Sequence, residues 1–298
     1  MTQTLLADIG GTYTRFWLLK KGDIIQTKVY FHKPFMPMKK LVETFLTETG
    51  THPKQFIVGA AGKLIKTGKI KLTNRRLVVN MPELCKIFGF KTGVLVNDMI
   101  PHTVSVLDKP DTKNACVIVI GTGLGCSYIK NHTVVASEAG HLPITKPTAE
   151  HKKLSALDWE DVISGPAFLR IYQHLSDKPV TRSREVSFLA HNYKDKNALM
   201  TYRIMAQSLA QFCLTIHKTE NIPVFYLGGL AVELIRSEKT KNIFFDALGK
   251  TADILSIRII KQSDESALTG LKMIVAELKK NGQITCVQPT DFYLYRDK

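Results

Sequence analysis

Cysteine is scarce in this sequence and never paired. Cys85, Cys116, Cys126, Cys213 and Cys286 stand singly, with no Cys-x-x-Cys spacing. That pattern supports neither a zinc cluster nor a disulfide framework. Long apolar runs are also missing: none reaches the roughly 20 residues of a membrane-spanning helix. No charged-then-apolar leader opens the chain, so a cytoplasmic protein with no membrane partner is expected. A Gly-x-x-x-x-Gly-Lys-Ser/Thr motif is absent, which excludes a P-loop nucleotide site. The His-Arg-Asp and Asp-Phe-Gly signatures of protein kinases are absent as well. No Ser-, Gly- or Pro-rich linker divides the 298 residues.

Negative charge is in deficit: 26 acidic residues face 41 lysines and arginines, a formal net charge of +15. Such a balance reads either as a solvated lysine surface or as attraction for anionic ligands. The basic residues are spread along the chain, with only brief doublets such as Arg75-Arg76. A nucleic-acid interface needs them gathered on one face, so none is expected. At 44% hydrophobic residues the chain can bury one or two cores.

What the chain does have is a repeated glycine turn. Leu5-Leu6-Ala7-Asp8-Ile9 is a short apolar run, followed by Gly10-Gly11-Thr12 and a second apolar run, Phe16-Trp17-Leu18-Leu19. This spacing predicts a β-hairpin. Cys116 to Ile120, Gly121-Thr122-Gly123-Leu124-Gly125 and Cys126 to Ile129 repeat the layout. Each copy is followed by a further β-like run, 23–31 and 132–136. Glycine lets a bulky anion approach the backbone, and successive N–H groups form an anion-binding concavity. Asp8, at a strand end, is placed to hold a cation associated with that anion. Two such units suggest two related halves built for phosphate.

Between and after them, strands alternate with helices, which means an α/β chain. Helices are predicted over 38–49, 82–88, 164–175, 198–218 and 268–280, and buried strands over 56–61, 94–98 and 224–227. The tail from Asn281 shows no pattern. Asp98 follows a buried strand and precedes a helix. Such a carboxylate is either a base that accepts a hydroxyl proton or the N-terminal cap of the helix.

These segments, in this order, resemble a known family. Asp8-Ile9-Gly10-Gly11-Thr12 with Arg15 resembles the first phosphate motif of the sugar kinase, actin and Hsp70 superfamily, and Gly121-Thr122-Gly123-Leu124-Gly125 resembles the second. Val96-Asn97-Asp98, Glu138-Ala139-Gly140-His141 and Glu160-Asp161-Val162-Ile163-Ser164-Gly165-Pro166 are similar to the pattern of bacterial-type glucokinases. Leu227-Gly228-Gly229-Leu230 resembles the adenosine motif. The resemblance runs from the first strand to about Gly270.

It implies a two-domain, actin-like ATPase (ribonuclease H-like) α/β fold with a cleft. Residues 1–109 would form a small α/β domain, rejoined by a C-terminal helix over 266–298, and 110–265 a larger α+β domain. The implied reaction is transfer of phosphate from ATP to the 6-hydroxyl of glucose, giving glucose 6-phosphate and ADP. Asp98 would be the general base, and Asn97, Asp98, Glu138, His141 and Glu160 would hold the sugar. Asp8, Gly10, Gly11, Thr12, Gly121, Thr122, Gly123, Gly228 and Gly229 would hold ATP. Mg²⁺ would arrive with ATP, with Asp8 in its outer sphere and no direct protein ligand. A homodimer is one assembly open to such a chain. The missing cysteine cluster argues against the zinc-containing repressor–kinase branch. Four departures stand out: Tyr13 for the usual Asn, Ala139 for Gly, Val232-Glu233 for Pro-Arg, and Ser266-Ala267 for Ala-Gly. The first two would lie beside phosphate and sugar, the others beside adenine. The alternatives are a kinase of another hexose or amino sugar, or a catalytically weakened, sugar-sensing member of the same fold.

Overall fold

Three consecutive antiparallel strands open the structure: β1 (Gln3–Ile9), β2 (Tyr13–Lys20) and β3 (Asp23–Phe31). The first turn falls at Gly10-Gly11-Thr12, where Gly10 N–H donates to Tyr13 O at 3.1 Å. The computed structural model describes residues 3–32, 36–72, 76–236, 238–260 and 263–297. Arg75 of the basic doublet and Lys298 at the chain end lie outside these.

The chain continues through α1 (Met38–Thr49), β4 (Gln55–Ala60), β5 (Leu64–Ile65), β6 (Lys69–Lys71), β7 (Val78–Asn80), α2 (Met81–Phe88), β8 (Thr92–Asn97) and α3 (Met99–Val104). Next come β9 (Asn114–Ile120), β10 (Leu124–Lys130), β11 (Thr133–Ser137), α4 (Ala149–Lys153), α5 (Gly165–Leu175), α6 (Ser183–Tyr193) and α7 (Lys196–Glu220). The last elements are β12 (Val224–Gly229), α8 (Leu230–Arg236), α9 (Glu238–Leu248), β13 (Ser256–Ile259), α10 (Ser263–Asn281) and β14 (Phe292–Arg296). They form two units: residues 1–113, 128–136 and 262–298, and residues 114–127 and 137–261.

The first unit is built on a six-stranded sheet in the order β14-β8-β4-β1-β2-β3. β1, β4 and β8 run parallel. Alternation along them sorts the faces. Leu5, Ala7 and Ile9 of β1, with Phe56 and Val58 of β4, pack against Leu41, Val42 and Phe45 of α1 and Leu84 of α2. Phe16 and Phe45 lie 5.1 Å apart between ring centroids, and Phe56 and Phe90 5.0 Å. Burying a side chain of this size stabilises the fold by about 1.5–3 kcal/mol. The amphipathic stripe over 38–49 is therefore a true core face, and Gly50 ends the helix with φ +62°.

Helices α3 and α10 cross within the first unit, with Gly270 against the Pro101 carbonyl; a Cβ on Gly270 would sit 1.8 Å from that oxygen. Next to this crossing, His102 Nδ1 and Ser266 Oγ share a buried 2.8 Å hydrogen bond. Burial, and secondarily the Arg15 charge, pull the His102 imidazole down to about 4. Unfolded, the ring titrates near 6.5. Between these values only the unfolded chain binds the proton, so stability falls as pH drops from about 6.5 towards 4. The full loss is on the order of 3 kcal/mol. Urea unfolding of the wild type and of His102→Gln at pH 7 and pH 4.5 checks this. The variant is expected to lose less stability on acidification.

The C-terminal tail departs from the expectation of a helix over 266–298. Helix α10 stops at Asn281, and Phe292–Arg296 forms β14, antiparallel to β8 at the sheet edge. Tyr293 opposes Leu95 there, and its ring lies against Gly68, which has φ +72°.

The second unit is organised around the sheet ordered β11-β10-β9-β12-β13, with residues 128–136 of its β10–β11 hairpin counted in the first unit. β12 runs parallel to β9 and to β13. Helix α7, with 25 residues, buries Ile204, Met205, Leu209, Phe212 and Ile216, the stripe read from the sequence. Asp195 accepts from Asn197 and Ala198 N–H at its start, and Asn221, at φ +53°, ends it. Trp159 packs on Phe212 at 5.7 Å and Phe168 on Tyr202 at 4.8 Å.

Candidate active site

In the first unit, strand register gathers the sequence-predicted residues at one sheet edge. Ile9 pairs with Ala60, and Ala60 with Asn97, so β1, β4 and β8 end together. The carboxyl edge of parallel strands is where α/β folds take ligands. The Gly10-Gly11-Thr12 turn and Asn97-Asp98 both leave the sheet at this edge.

Asn97 is buried, and both ends of its amide are occupied: its NH₂ donates to Gly62 O at 3.0 Å and its Oδ1 accepts from Met99 N–H at 2.9 Å. Gly62 has φ +132°, and a Cβ there would meet Lys71 O at 2.4 Å, so only glycine fits. Asp98 occupies the N-terminal position of α3, yet its side chain makes no capping hydrogen bond. Asn97 performs that task from one residue earlier. Of the two readings open for Asp98, the helix cap is therefore removed. The Asp98 backbone N–H donates to Ala60 O at 3.0 Å, fixing the residue to β4.

Asp8 is nearly buried and pairs with Arg15 across the β1–β2 hairpin, Nη1 to Oδ2 at 3.1 Å. Its carboxylate thus has a cation of its own, which suits an outer-sphere role better than direct metal ligation. Among the described residues no group of three or more His, Cys, Asp or Glu is placed to hold a metal ion.

The second unit repeats the convergence. Ile120 pairs with Gly229 and Val119 with Gly228, so the Gly121-Thr122-Gly123 turn and the Gly228-Gly229 turn leave one sheet edge. Gly229 has φ +62° and faces the Ile120 carbonyl so closely that a Cβ would lie 2.1 Å from its oxygen. Gly121 O accepts from Gly165 N–H at 2.8 Å, which ties the turn to the start of α5.

Glu160 joins this turn to the acidic and histidine residues. Its Oε2 accepts from Leu124 N–H at 2.8 Å and lies where a Cβ on Gly123 would sit, at 2.5 Å. Glu160 N–H in turn donates to Gly140 O at 2.9 Å. Gly140 packs on Leu124 O, where a Cβ would come within 2.3 Å. Glu138 precedes a single 3₁₀ turn over Ala139–His141, closed by His141 N–H to Glu138 O at 3.0 Å. Thus Glu138, His141, Glu160 and the Gly121 turn are brought together. Partial burial works against charging the His141 ring, but the Asp158 hydrogen bond and the charges of Glu160, Asp158 and Glu138 outweigh it, so its pKa is raised. Sequence reasoning missed Asp158; the only signal for it is its place two residues before Glu160.

A family model described as "Glucokinase" matches residues 5–255. The chain belongs to the glucokinase family. It is accordingly a kinase, a transferase that phosphorylates a sugar. A glucokinase of Nostoc punctiforme is 24% identical over 294 residues, covering 87% of this chain and 82% of that protein. Among solved structures, a ROK family glucokinase from Streptomyces griseus in complex with glucose and AMPPNP superposes with TM-score 0.72 at 17% identity, covering 91% and 98% of the two chains. A ROK hexokinase from Thermus thermophilus gives TM-score 0.70 at 18% identity, covering 94% and 100%. The fold is the actin-like ATPase fold. No helix among the described residues is long and apolar enough to cross a membrane.

The structure absorbs the departures from the glucokinase family pattern. Ala139 is buried in the 3₁₀ turn, while Gly140, where no Cβ fits, is kept. Glu233 on α8 accepts from Tyr202 O–H at 2.9 Å and from Ser187 Oγ at 3.4 Å. Ser266 bonds to His102 within the first unit. Tyr13 is exposed, with its ring edge-on to Phe31 at 5.3 Å and the Arg15 guanidinium 5.9 Å from its centroid.

Proposed function

We propose that this chain transfers the terminal phosphate of ATP to the 6-hydroxyl of glucose, with Asp98 as general base. The observation that carries the reading is Asp98 itself: a carboxylate fixed at the end of a buried strand, with the helix-capping task done by Asn97. Asp98 takes the hydroxyl proton as the oxygen attacks phosphorus, and positioning and charge stabilisation supply the rest. Asn97, Glu138, His141 and Glu160 bind the sugar hydroxyls. Gly10, Gly11, Thr12, Gly121, Thr122 and Gly123 offer N–H and hydroxyl groups to phosphates, and Gly228-Gly229 leave room for adenosine. Mg²⁺ would come with the nucleotide and neutralise phosphate charge, with Asp8 in its outer sphere. In this reading the first unit is the domain built on residues 1–109 with the C-terminal segment, and the second is the domain over 110–265; with 159 residues against 139, the first is the larger of the two, not the smaller.

The test is ADP release measured by a coupled assay over glucose, mannose, 2-deoxyglucose, fructose and glucosamine. Glucose is expected to have the highest kcat/KM, and mannose and 2-deoxyglucose to differ from it. A lost or inverted hydroxyl strands a polar group of the protein at a cost of about 1–3 kcal/mol. Equal kcat/KM for every hexose would remove Glu138, His141 and Glu160 from sugar recognition. A preference for glucosamine would instead favour an amino-sugar kinase, a reading suited to three carboxylates around His141.

A further inference from the structure

We infer that Asp158 is a positioning residue for sugar binding: it accepts the Nδ1–H of His141 and thereby leaves Nε2 as the nitrogen that meets a sugar hydroxyl. The inference rests on His141 being a sugar ligand, as proposed above. Its own basis is the geometry of one turn.

Residues 157–161 form a tight turn whose carboxylates are all engaged. Asp161 Oδ2 accepts from Leu157 N–H at 2.9 Å, and Asp158 Oδ1 accepts from Asp161 N–H at 3.0 Å. Asp158 also forms an isolated antiparallel bridge with Pro143, two residues beyond His141. Its other oxygen, Oδ2, is therefore presented to the imidazole, at 3.3 Å from Nδ1. Two residues on, Glu160 grips Leu124. One turn thus fastens both the ring and the glycine loop.

An imidazole on a turn has two tautomers and a free χ2. A carboxylate on Nδ1 selects the tautomer and restricts the ring, as carboxylates behind histidine ligands generally do. The side chain remains 41% exposed, so the ring is within reach of a ligand. The charged groups facing the ring are Glu138, Asp158 and Glu160, all acidic. They hold its proton to higher pH, and the ring loses it as pH rises through that raised value.

The test uses the full chain and the variants Asp158→Asn, Asp158→Ala and His141→Gln. Two readouts are taken: steady-state KM for glucose and for ATP, and an NMR titration of the His141 ring, assigned by its loss in His141→Gln. Asp158→Ala is expected to raise the glucose KM about tenfold or more with the ATP KM little changed, as for loss of a hydrogen bond between charged groups. Asp158→Asn has a single amide oxygen; with that oxygen kept on Asp161 N–H its NH₂ faces Nδ1, so the variant is expected to raise the glucose KM as the alanine variant does and to shift the His141 titration to lower pH. Because asparagine preserves the bond to Asp161 N–H, its titration reads the carboxylate charge even if the alanine variant folds poorly. An unchanged titration in Asp158→Asn would overturn the inference, as would a parallel rise of both KM values in Asp158→Ala. If His141→Gln leaves the glucose KM unaltered, the sugar-binding reading fails as well, and the titration alone then judges the Asp158–His141 pair.

Discussion

Replacing Asp98 by asparagine is expected to abolish measurable phosphoryl transfer while leaving glucose binding in place. The expected fall in kcat is about 10²–10⁴-fold, the usual worth of a positioned general base. The variant suits the question because asparagine keeps the volume and polarity of the side chain while losing the carboxylate charge and with it the ability to take the proton. Asp98 makes no capping bond from its side chain, and the α3 cap is supplied by Asn97 Oδ1, so the substitution removes no helix-stabilising contact of that kind. A loss of kcat can then be assigned to chemistry rather than to a loosened helix. Calorimetry with glucose and a coupled assay, run on the same preparation, separate the two effects. A kcat near that of the wild type would remove Asp98 from the mechanism. Loss of glucose binding together with kcat would make Asp98 a sugar ligand first.

The second large effect concerns Gly270. Its substitution by alanine should lower the melting temperature of the first unit and reduce kcat together. The added methyl would lie 1.8 Å from Pro101 O, 2.5 Å from its carbonyl carbon and 2.7 Å from its Cα. All three are backbone atoms, so no rotamer change relieves the overlap and the helices must separate. Overpacking of a well-packed core costs about 1–3 kcal/mol, and a rigid obstacle places this site at the upper end. Pro101 follows Asp98 by three residues, so a displaced α3 carries the carboxylate with it. Thr269→Ala, on the exposed side of the same helix, is the control and should change neither quantity. A melting curve for Gly270→Ala that superimposes on the wild type would show that α10 does not lie against Pro101.

Hydrophobic period made the elements with strong stripes legible. The stripe over 38–49 became α1, and 198–218 became the centre of α7. Both glycine hairpins were legible because short apolar runs broken by glycine have few other outcomes. What escaped reading depends on partners remote in sequence. Phe292–Arg296 is a short run with no alternation; it is a strand because β8, some 200 residues earlier, offers a free edge. Asp158 looked like any turn carboxylate, since its significance lies in His141, 17 residues away. Ser266 looked like a defect in a small-residue pair because its compensation, His102, is 164 residues distant. The candidate residues were named from motif order, and motif order says nothing about which oxygen of Glu160 is already taken.

That last point bears on how the selectivity of such a protein can change. Glu160 commits Oε2 to the Leu124 amide, leaving Oε1 for another partner. A single side chain thus belongs at once to the glycine loop and to the acidic group around His141. Coupling between two ligands is reciprocal: whatever one does to the affinity for the other is returned in equal measure. On the proposed reading, in which Glu160 binds the sugar and the glycine loop the phosphate donor, a mutational path towards a new sugar that passes through position 160 drags donor affinity along with it. Paths through Glu138, which touches the loop through no hydrogen bond described above, leave the two affinities free to move apart. On that reading, changes of sugar preference should fall on Glu138 and spare Glu160.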